Sequence, residues 1–286
     1  MFADLHFHTV CSDGKHPVAW VAERLYHAHK HYGLELAVLT DHDGVYGFGE
    51  YESLVRDWTF PICASELSCT YSDPKNSGKS IELHLLMYGI DPHDQEIQTE
   101  FRRFKEEREN RFFRMCERVR EAGHSIDAEG FAKRHQGVLG RPHVADLMVE
   151  SGIVKDRAEA FDKYLKDGKP FSVPKWRFPL EQALDYARRK KCKTSVAHPG
   201  QYGFQKDLLA TWKDLGVDAI EIHHPRHTPE MTRAYWLIAK ELGFSISGGS
   251  DFHTRETDLS AGGEPSLGRT SYKMEDAREF LGELLG

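Results

Sequence analysis

Seventeen of the 286 residues are histidine. Imidazole is the commonest metal ligand and the usual proton carrier near neutral pH, so the places where histidine meets carboxylate come first. Asp4-Leu5-His6-Phe7-His8 sets two imidazoles at i and i+2. On a strand these share a face, and at its end they reach one cation. One such pair carries little weight, but other apolar runs end in the same chemistry. Residues 34–40 lead into Asp41-His42-Asp43, and residues 60–65 into Glu66. Residues 81–88 hold His84 among apolar neighbours. Residues 194–197 lead into His198-Pro199-Gly200, and residues 244–247 into Gly248-Gly249-Ser250-Asp251-Phe252-His253. With Asp13 in the first loop, nine candidate ligands emerge: His6, His8, Asp13, His42, Glu66, His84, His198, Asp251 and His253. One cation takes about four to six donors, so this set implies two or three divalent ions with a bridging carboxylate. Imidazole and carboxylate without thiolate suit manganese, which fits the mixture best, with iron or zinc as the alternatives. Clustered ions of this kind are the apparatus of phosphoester hydrolysis, in which a metal-activated hydroxide attacks phosphorus.

Such residues converge only if the runs are neighbouring strands. Helical patterns fall between them, at 18–32, 180–189 and 228–242, the last with Thr228 as cap, Pro229 at the first turn and Gly243 at the stop. Strand and helix in alternation predict an α/β fold with a parallel sheet. Strand 219–222 completes the series, and seven such units would close into a barrel whose ligands lie on the C-terminal face. Gly248 and Gly249 before Asp251, and Gly14 in the first loop, allow close backbone approach. The rhythm breaks at 92–174. Phe101, Phe104, Arg108, Phe112, Met115 and Val119 step by three or four along one long helix, and 141–150 and 158–166 are two more helical patterns. The expected organisation is a barrel of 1–91 and 175–286 with a helical insertion, 92–174, over the site face.

Composition narrows the field. At 40% hydrophobic and 29% charged residues the chain is globular, not disordered. No apolar run approaches the roughly 20 residues of a membrane helix, and the N-terminus has no signal-peptide pattern. Five cysteines without a CxxC pair suggest a reduced, cytoplasmic chain. A net charge of −7 argues against duplex DNA as partner. A phosphate substrate stays open, because bound cations reverse the local sign. His224 and Arg226 follow strand 219–222 and are candidates for substrate phosphate. The helical segment 99–120 is basic within an acidic chain: a solvated face of ion pairs accounts for it, and the alternative is a basic wall that guides a nucleotide or oligonucleotide.

The combined motifs DLHFHT, SDG, TDHD, SELS, LHLLMYGID, AHPGQY and GGSDFH resemble the PHP (polymerase and histidinol phosphatase) metallophosphoesterases. LGRPHVADLMVESG, DGKPFSVPKW, DAIEIHHPRHTPEM and SLGR resemble the branch of nucleotide 3′,5′-bisphosphate phosphatases and 5′→3′ exoribonucleases. That resemblance implies a distorted (β/α)7 TIM-like barrel with a trinuclear metal centre. It assigns His6, His8, Glu66 and Asp251 to one ion, Glu66, His84 and His198 to a second, and Asp13, His42 and His253 to a third. Glu66 and Asp251 then serve catalysis directly. It makes Arg141 and His143 of the insertion catalytic phosphate contacts. The expected substrate is a nucleotide 3′,5′-bisphosphate or a short 5′-phosphorylated oligoribonucleotide. Alternatives are a histidinol-phosphate or other phosphomonoester phosphatase, an amidohydrolase-type metallohydrolase, and a non-catalytic metal-binding module.

Overall fold

The computed structural model describes residues 1–74, 78–135, 138–253 and 267–285. The first half alternates as expected: β1 (Phe2–Asp4), α1 (Val18–Tyr32), β2 (Leu34–Ala37), α2 (Phe48–Val55), β3 (Ala64–Asp73) and β4 (Lys79–Tyr88). A helical stretch follows, with α3 (Gln95–Glu121), α4 (Ala128–Arg134), α5 (Arg141–Glu150) and α6 (Arg157–Ala160), the last running into a π-helical turn at Phe161–Leu165. The remainder is β5 (Phe178–Pro179), α7 (Leu180–Lys190), β6 (Lys193–Val196), α8 (Pro199–Tyr202), α9 (Lys206–Leu215), β7 (Ala219–His223), α10 (Pro229–Leu242), β8 (Ser245–Gly248) and α11 (Met274–Leu281). Helix α10 has the expected ends: Thr228 Oγ1 accepts from Met231 N, Pro229 opens the helix, and Gly243 closes it at φ 72°. No helix among the described residues is long and apolar enough to cross a membrane.

The strands form two ladders, β1-β2 and β5-β3-β4-β6-β7-β8. Backbone hydrogen bonds also cross between them, from the chain after β1 to β8 and from the chain after β2 to β3. Leu5 N donates to Gly248 O, and Asp251 N to His6 O at 2.7 Å; Glu66 N donates to Thr40 O, and Asp43 N to Glu66 O. The sheet is not wholly parallel, which corrects the expectation. Strand β4 runs antiparallel to both β3 and β6. Ser-Asp-Pro-Lys-Asn-Ser-Gly at 72–78 is rich in turn formers, and a short turn returns the chain antiparallel. Strand β3 also begins later than expected, so Glu66 is its third residue and does not follow its end. Ser68 pairs with His84 across the hairpin, leaving His84 mid-strand.

Helix α3 spans two cores. Asp94 caps it by accepting from Glu96 N and Ile97 N. Its first turns bury Ile97, Phe101 and Phe104 against the sheet, with Leu67, Leu83, Phe178 and Trp212. Its last turns bury Phe112, Met115 and Val119 in a separate cluster with Phe131, Val144, Leu147 and Phe171. At 27 residues the helix is about 40 Å long. Between its two apolar ends lie Arg108 and Arg111, both buried. Guanidinium groups there need partners from both sides of the junction.

Candidate metal centre

All nine candidate ligands come together. Glu66 is the hub, and it is fully buried. Its Oε2 lies 3.1 Å from His6 Nε2, 3.1 Å from His8 Nε2 and 3.2 Å from His42 Nδ1. Its Oε1 lies 2.7 Å from His84 Nδ1 and 2.9 Å from His198 Nε2. Asp251 Oδ1 stands 3.4 Å from both His6 Nε2 and His8 Nε2. Asp13 faces His253 Nε2 at 3.1 Å and His42 Nε2 at 3.8 Å. Three donor groups result: His6, His8, Glu66 and Asp251; His42, Glu66 and His84; and His8, Asp13, His42 and His253.

The donor set fits divalent cations. Ligands bound about 2.1 Å from one ion stand roughly 3.0–3.4 Å apart at octahedral or tetrahedral angles, which matches the separations around Glu66. His6 Nε2 and His8 Nε2 are only 3.2 Å apart. Glu66 Oε2 and Asp13 Oδ1 are buried without a hydrogen bond. Burial opposes ionisation of Glu66, yet the imidazoles of His42, His6 and His84 hold its carboxyl well below the usual range. Asp13 and Asp251 are held low in the same way, chiefly by His253 and by His6 respectively. Burial pushes His42 down to about 3, so its ring is neutral and its lone pairs are available.

Neighbouring residues aim these ligands. Gly249 lies so close to His6 that a Cβ would stand 2.4 Å from His6 Cβ and 2.5 Å from His6 N. A Cβ on Gly14 would stand 2.8 Å from Thr9 N. Asp41 accepts from Thr9 N at 2.8 Å, Thr9 Oγ1 at 2.7 Å and Ser12 Oγ at 2.6 Å, which fixes the loop bearing Asp13. Glu221 of β7, fully buried, takes His6 Nδ1 on one oxygen at 2.9 Å and His198 N on the other at 2.7 Å. Burial opposes its ionisation, but His6, His224 and His198 hold it below the usual carboxylate range. A carboxylate there receives the Nδ1 proton of His6 and leaves its Nε2 lone pair facing the hub. Sequence reasoning passed over Glu221, although a charge inside the apolar run AIEIH is the signal that singled out His84.

A cavity of about 620 Å³ opens over the centre. Its floor includes Asp13, His42, Glu66, His84, His198, Asp251 and His253; its walls include Asp146, Lys155 and Arg157 from the helical stretch, and Gln201, Tyr202 and Arg226. Arg226 Nη1 donates to Gln201 Oε1 at 3.2 Å. His224 instead faces a ligand. Its Nδ1 accepts from Arg226 N at 3.1 Å, which puts the ring proton on Nε2, 3.1 Å from Asp251 Oδ2. Arg141 and His143, expected over the metal face, do not line this cavity. They open helix α5, where orphan backbone groups and a nearby carboxylate claim them. His143 Nδ1 accepts from Gly140 N at 2.9 Å, and its buried ring packs on His135 and Phe131. Burial keeps it neutral, with a pKa lowered to about 4. Arg141 Nη1 donates to Asp167 Oδ1 at 2.8 Å.

No protein-family model matches the chain. It is 29% identical to the 3′,5′-nucleoside bisphosphate phosphatase of Chromobacterium violaceum over 264 residues, 87% of this chain and 86% of that one. It is also 29% identical to the 5′-3′ exoribonuclease Rnm of Escherichia coli over 260 residues, 87% and 84% of the two chains. The chain is similar over most of its length to phosphoesterases that act on nucleotides and RNA. Its fold is shared with a Bifidobacterium adolescentis protein assigned as a metal-dependent phosphoesterase, at a TM-score of 0.81 and 24% identity over 98% and 95% of the chains. A Chromobacterium violaceum structure described as an amidohydrolase with bound sulfate and no metal superposes at 0.80, with 26% identity over 98% and 96%. The chain is a phosphoester hydrolase, and its buried cluster fits divalent metal.

Proposed function

We propose that this PHP-type enzyme removes the 3′-phosphate from nucleoside 3′,5′-bisphosphates and cleaves short 5′-phosphorylated RNA, using two or three divalent ions, manganese first. The observation that carries this reading is Glu66, one buried carboxylate approached by five imidazoles. A bridging carboxylate of that kind serves clustered ions. In an amidohydrolase-type centre a modified lysine fills that place, and here the hub is a glutamate. The ions, when bound, supply a hydroxide nucleophile and neutralise charge on the phosphoryl oxygens. The chain's own residues do the rest. His6, His8, Glu66 and Asp251 would hold one ion, Glu66, His84 and His198 a second, and Asp13, His42 and His253 a third. Arg226, held by Gln201 at the cavity wall, binds a phosphoryl oxygen. His224 donates to Asp251 and holds its carboxylate in place.

The cavity volume suits a nucleotide. In our reading the two ladders and the hydrogen bonds across their edges make one distorted (β/α)7 barrel of 1–91 and 175–286. Segment 92–174 is then a helical insertion that roofs the site. The described cysteines are free thiols, in keeping with a reducing cytoplasm. The test is a hydrolysis panel with manganese: nucleoside 3′,5′-bisphosphates, 5′-phosphorylated RNA, histidinol phosphate and amide substrates, with products identified. Turnover confined to the last two would overturn the reading.

A further inference from the structure

Helix α1 carries a row of exposed donors on the side away from the core. It buries Val18, Val21, Ala22, Leu25 and Ala28, and Glu23, His27 and His31 stand exposed at i, i+4 and i+8. The His27 and His31 rings are 4.4 Å apart between centroids and tilted by 41°. Tyr32 flanks both, 5.7 Å from His27 and 6.4 Å from His31, and the Arg269 guanidinium lies 3.8 Å over the Tyr32 ring. His29, between the pair in sequence, is engaged elsewhere: its Nδ1 donates to Leu34 O at 2.7 Å. No hydrogen bond or ion pair among the described residues engages His27 or His31.

Two imidazoles one turn apart can close on a single ion, because side chains at i and i+4 are neighbours on a helix. Rings this near need only rotate about their side-chain bonds to bring two nitrogens to the roughly 3 Å spacing of adjacent metal ligands. The helix end assists. Both residues lie in its last two turns before Gly33, where the carbonyl ends of the backbone dipoles favour a cation. Glu23 adds a carboxylate one turn back. We propose that His27 and His31 form a surface site for one divalent transition ion, separate from the buried centre. Gly33 leads into β2 at Leu34, whereas His42 follows the other end of that strand, so the pair and the centre lie at opposite ends of β2. An imidazole pair holds copper(II) above nickel and zinc, and manganese least. The remaining positions belong to water, so the ion exchanges readily. Metal counts taken with copper, nickel or zinc then exceed the capacity of the buried centre by one, and counts taken with manganese do not.

The experiment uses the untagged, manganese-loaded protein and copper(II)–iminodiacetate, a complex with two adjacent positions open for a pair of imidazoles. Calorimetry reads its affinity and stoichiometry for wild type, H27Q, H31Q and H93Q. A second tethered contact multiplies affinity by about 10²–10⁴. H27Q and H31Q are therefore each expected to bind at least about 100-fold more weakly, and H93Q, which alters an exposed histidine elsewhere, as wild type does. E23H in the H31Q background rebuilds the same spacing one turn earlier and should return the affinity to within about threefold of wild type. Manganese content and far-UV circular dichroism should stay as in wild type throughout. Copper binding by H27Q or H31Q within about threefold of wild type would overturn the site, and so would failure of E23H to restore what H31Q loses. Loss of manganese together with copper would overturn its separateness from the buried centre. The inference does not rest on the nucleotide reading above.

Discussion

Glu221 is the residue through which the aiming of the metal ligands is best tested, in the variant Glu221→Gln. The carboxylate accepts from two N–H groups, His6 Nδ1 and His198 N, at 2.9 and 2.7 Å. An amide of the same shape has one oxygen and one NH2. If the oxygen keeps His198 N, the NH2 faces His6 Nδ1, and the ring proton moves to Nε2, where the lone pair should face the ion. If the oxygen keeps His6, an NH2 opposes a buried backbone N–H, which costs about 1–3 kcal/mol. His198 is also a non-glycine residue at φ 31°, a left-handed conformation that this hydrogen bond helps hold. Loss of an orienting partner of this kind weakens metal binding about 10- to 100-fold, or about 1.4–2.7 kcal/mol. The assay is competition for manganese against a chelator of known affinity, followed by metal content after dialysis. Thermal denaturation of the metal-free proteins controls for folding; both should be folded at the assay temperature, the variant weaker by no more than about 1–3 kcal/mol, the cost of one unpaired N–H. Manganese affinity within twofold of wild type would refute the reasoning. A fall in metal-free stability large enough to unfold the variant at that temperature would do the same.

Further outcomes follow from the same geometry. Glu66→Gln, Asp13→Ala and Asp251→Ala should each abolish turnover and lower bound metal while leaving the far-UV circular dichroism unchanged; full activity in any of them sinks the assigned hub. Chelation should stop hydrolysis, and metal at a hundred times its dissociation constant should restore it and add about 2.7 kcal/mol of stability, read as a rise in Tm. Gly249→Ala forces a Cβ into His6, and metal content is expected to fall with it. Asp43→Asn breaks a buried ion pair and should cost about 3–5 kcal/mol in a urea titration. Burial opposes ionisation of Asp43, but Arg108 and Lys175 bring it to about 2, below its ordinary 3.8. Its contribution is therefore complete above about pH 4 and lost as pH falls through 2, so the wild-type advantage over Asp43→Asn should narrow in that window.

Most of the clustered donors were legible because they interrupt or end an apolar run, where a buried polar group needs a reason. Glu66, His84 and His198 stand out on that ground without any structure. Helix α10 was equally plain, because Thr228, Pro229 and Gly243 each do one physical task at its ends. Arg141 and His143 were legible as residues, but what their side chains hold in this structure was not. At a helix start, backbone N–H groups compete with a substrate for the same side chains, and here His143 is occupied by Gly140. Strand direction was harder. An apolar run reads the same both ways, and the direction of β4 lies in its turn. Asp73, Pro74, Asn76 and Gly78 supply that signal between two strands, where a crossover helix would need about a dozen residues.

The hairpin changes how the centre is assembled. Seven parallel strands would bring every ligand from a C-terminal end and leave the edge of β3 beside another parallel neighbour. Reversing β4 brings His84 from mid-strand to face Ser68, directly beside the hub. It also leaves β3 long enough, ten residues, to pair with β5 as well as β4. Strand β5 is two residues long and has no periodic signal. Yet its register with Cys69 and Thr70 carries the chain from the helical stretch back onto the sheet, and Lys175 and Arg177 arrive with it. Their place beside β3 thus depends on the same departure from a parallel sheet that places His84.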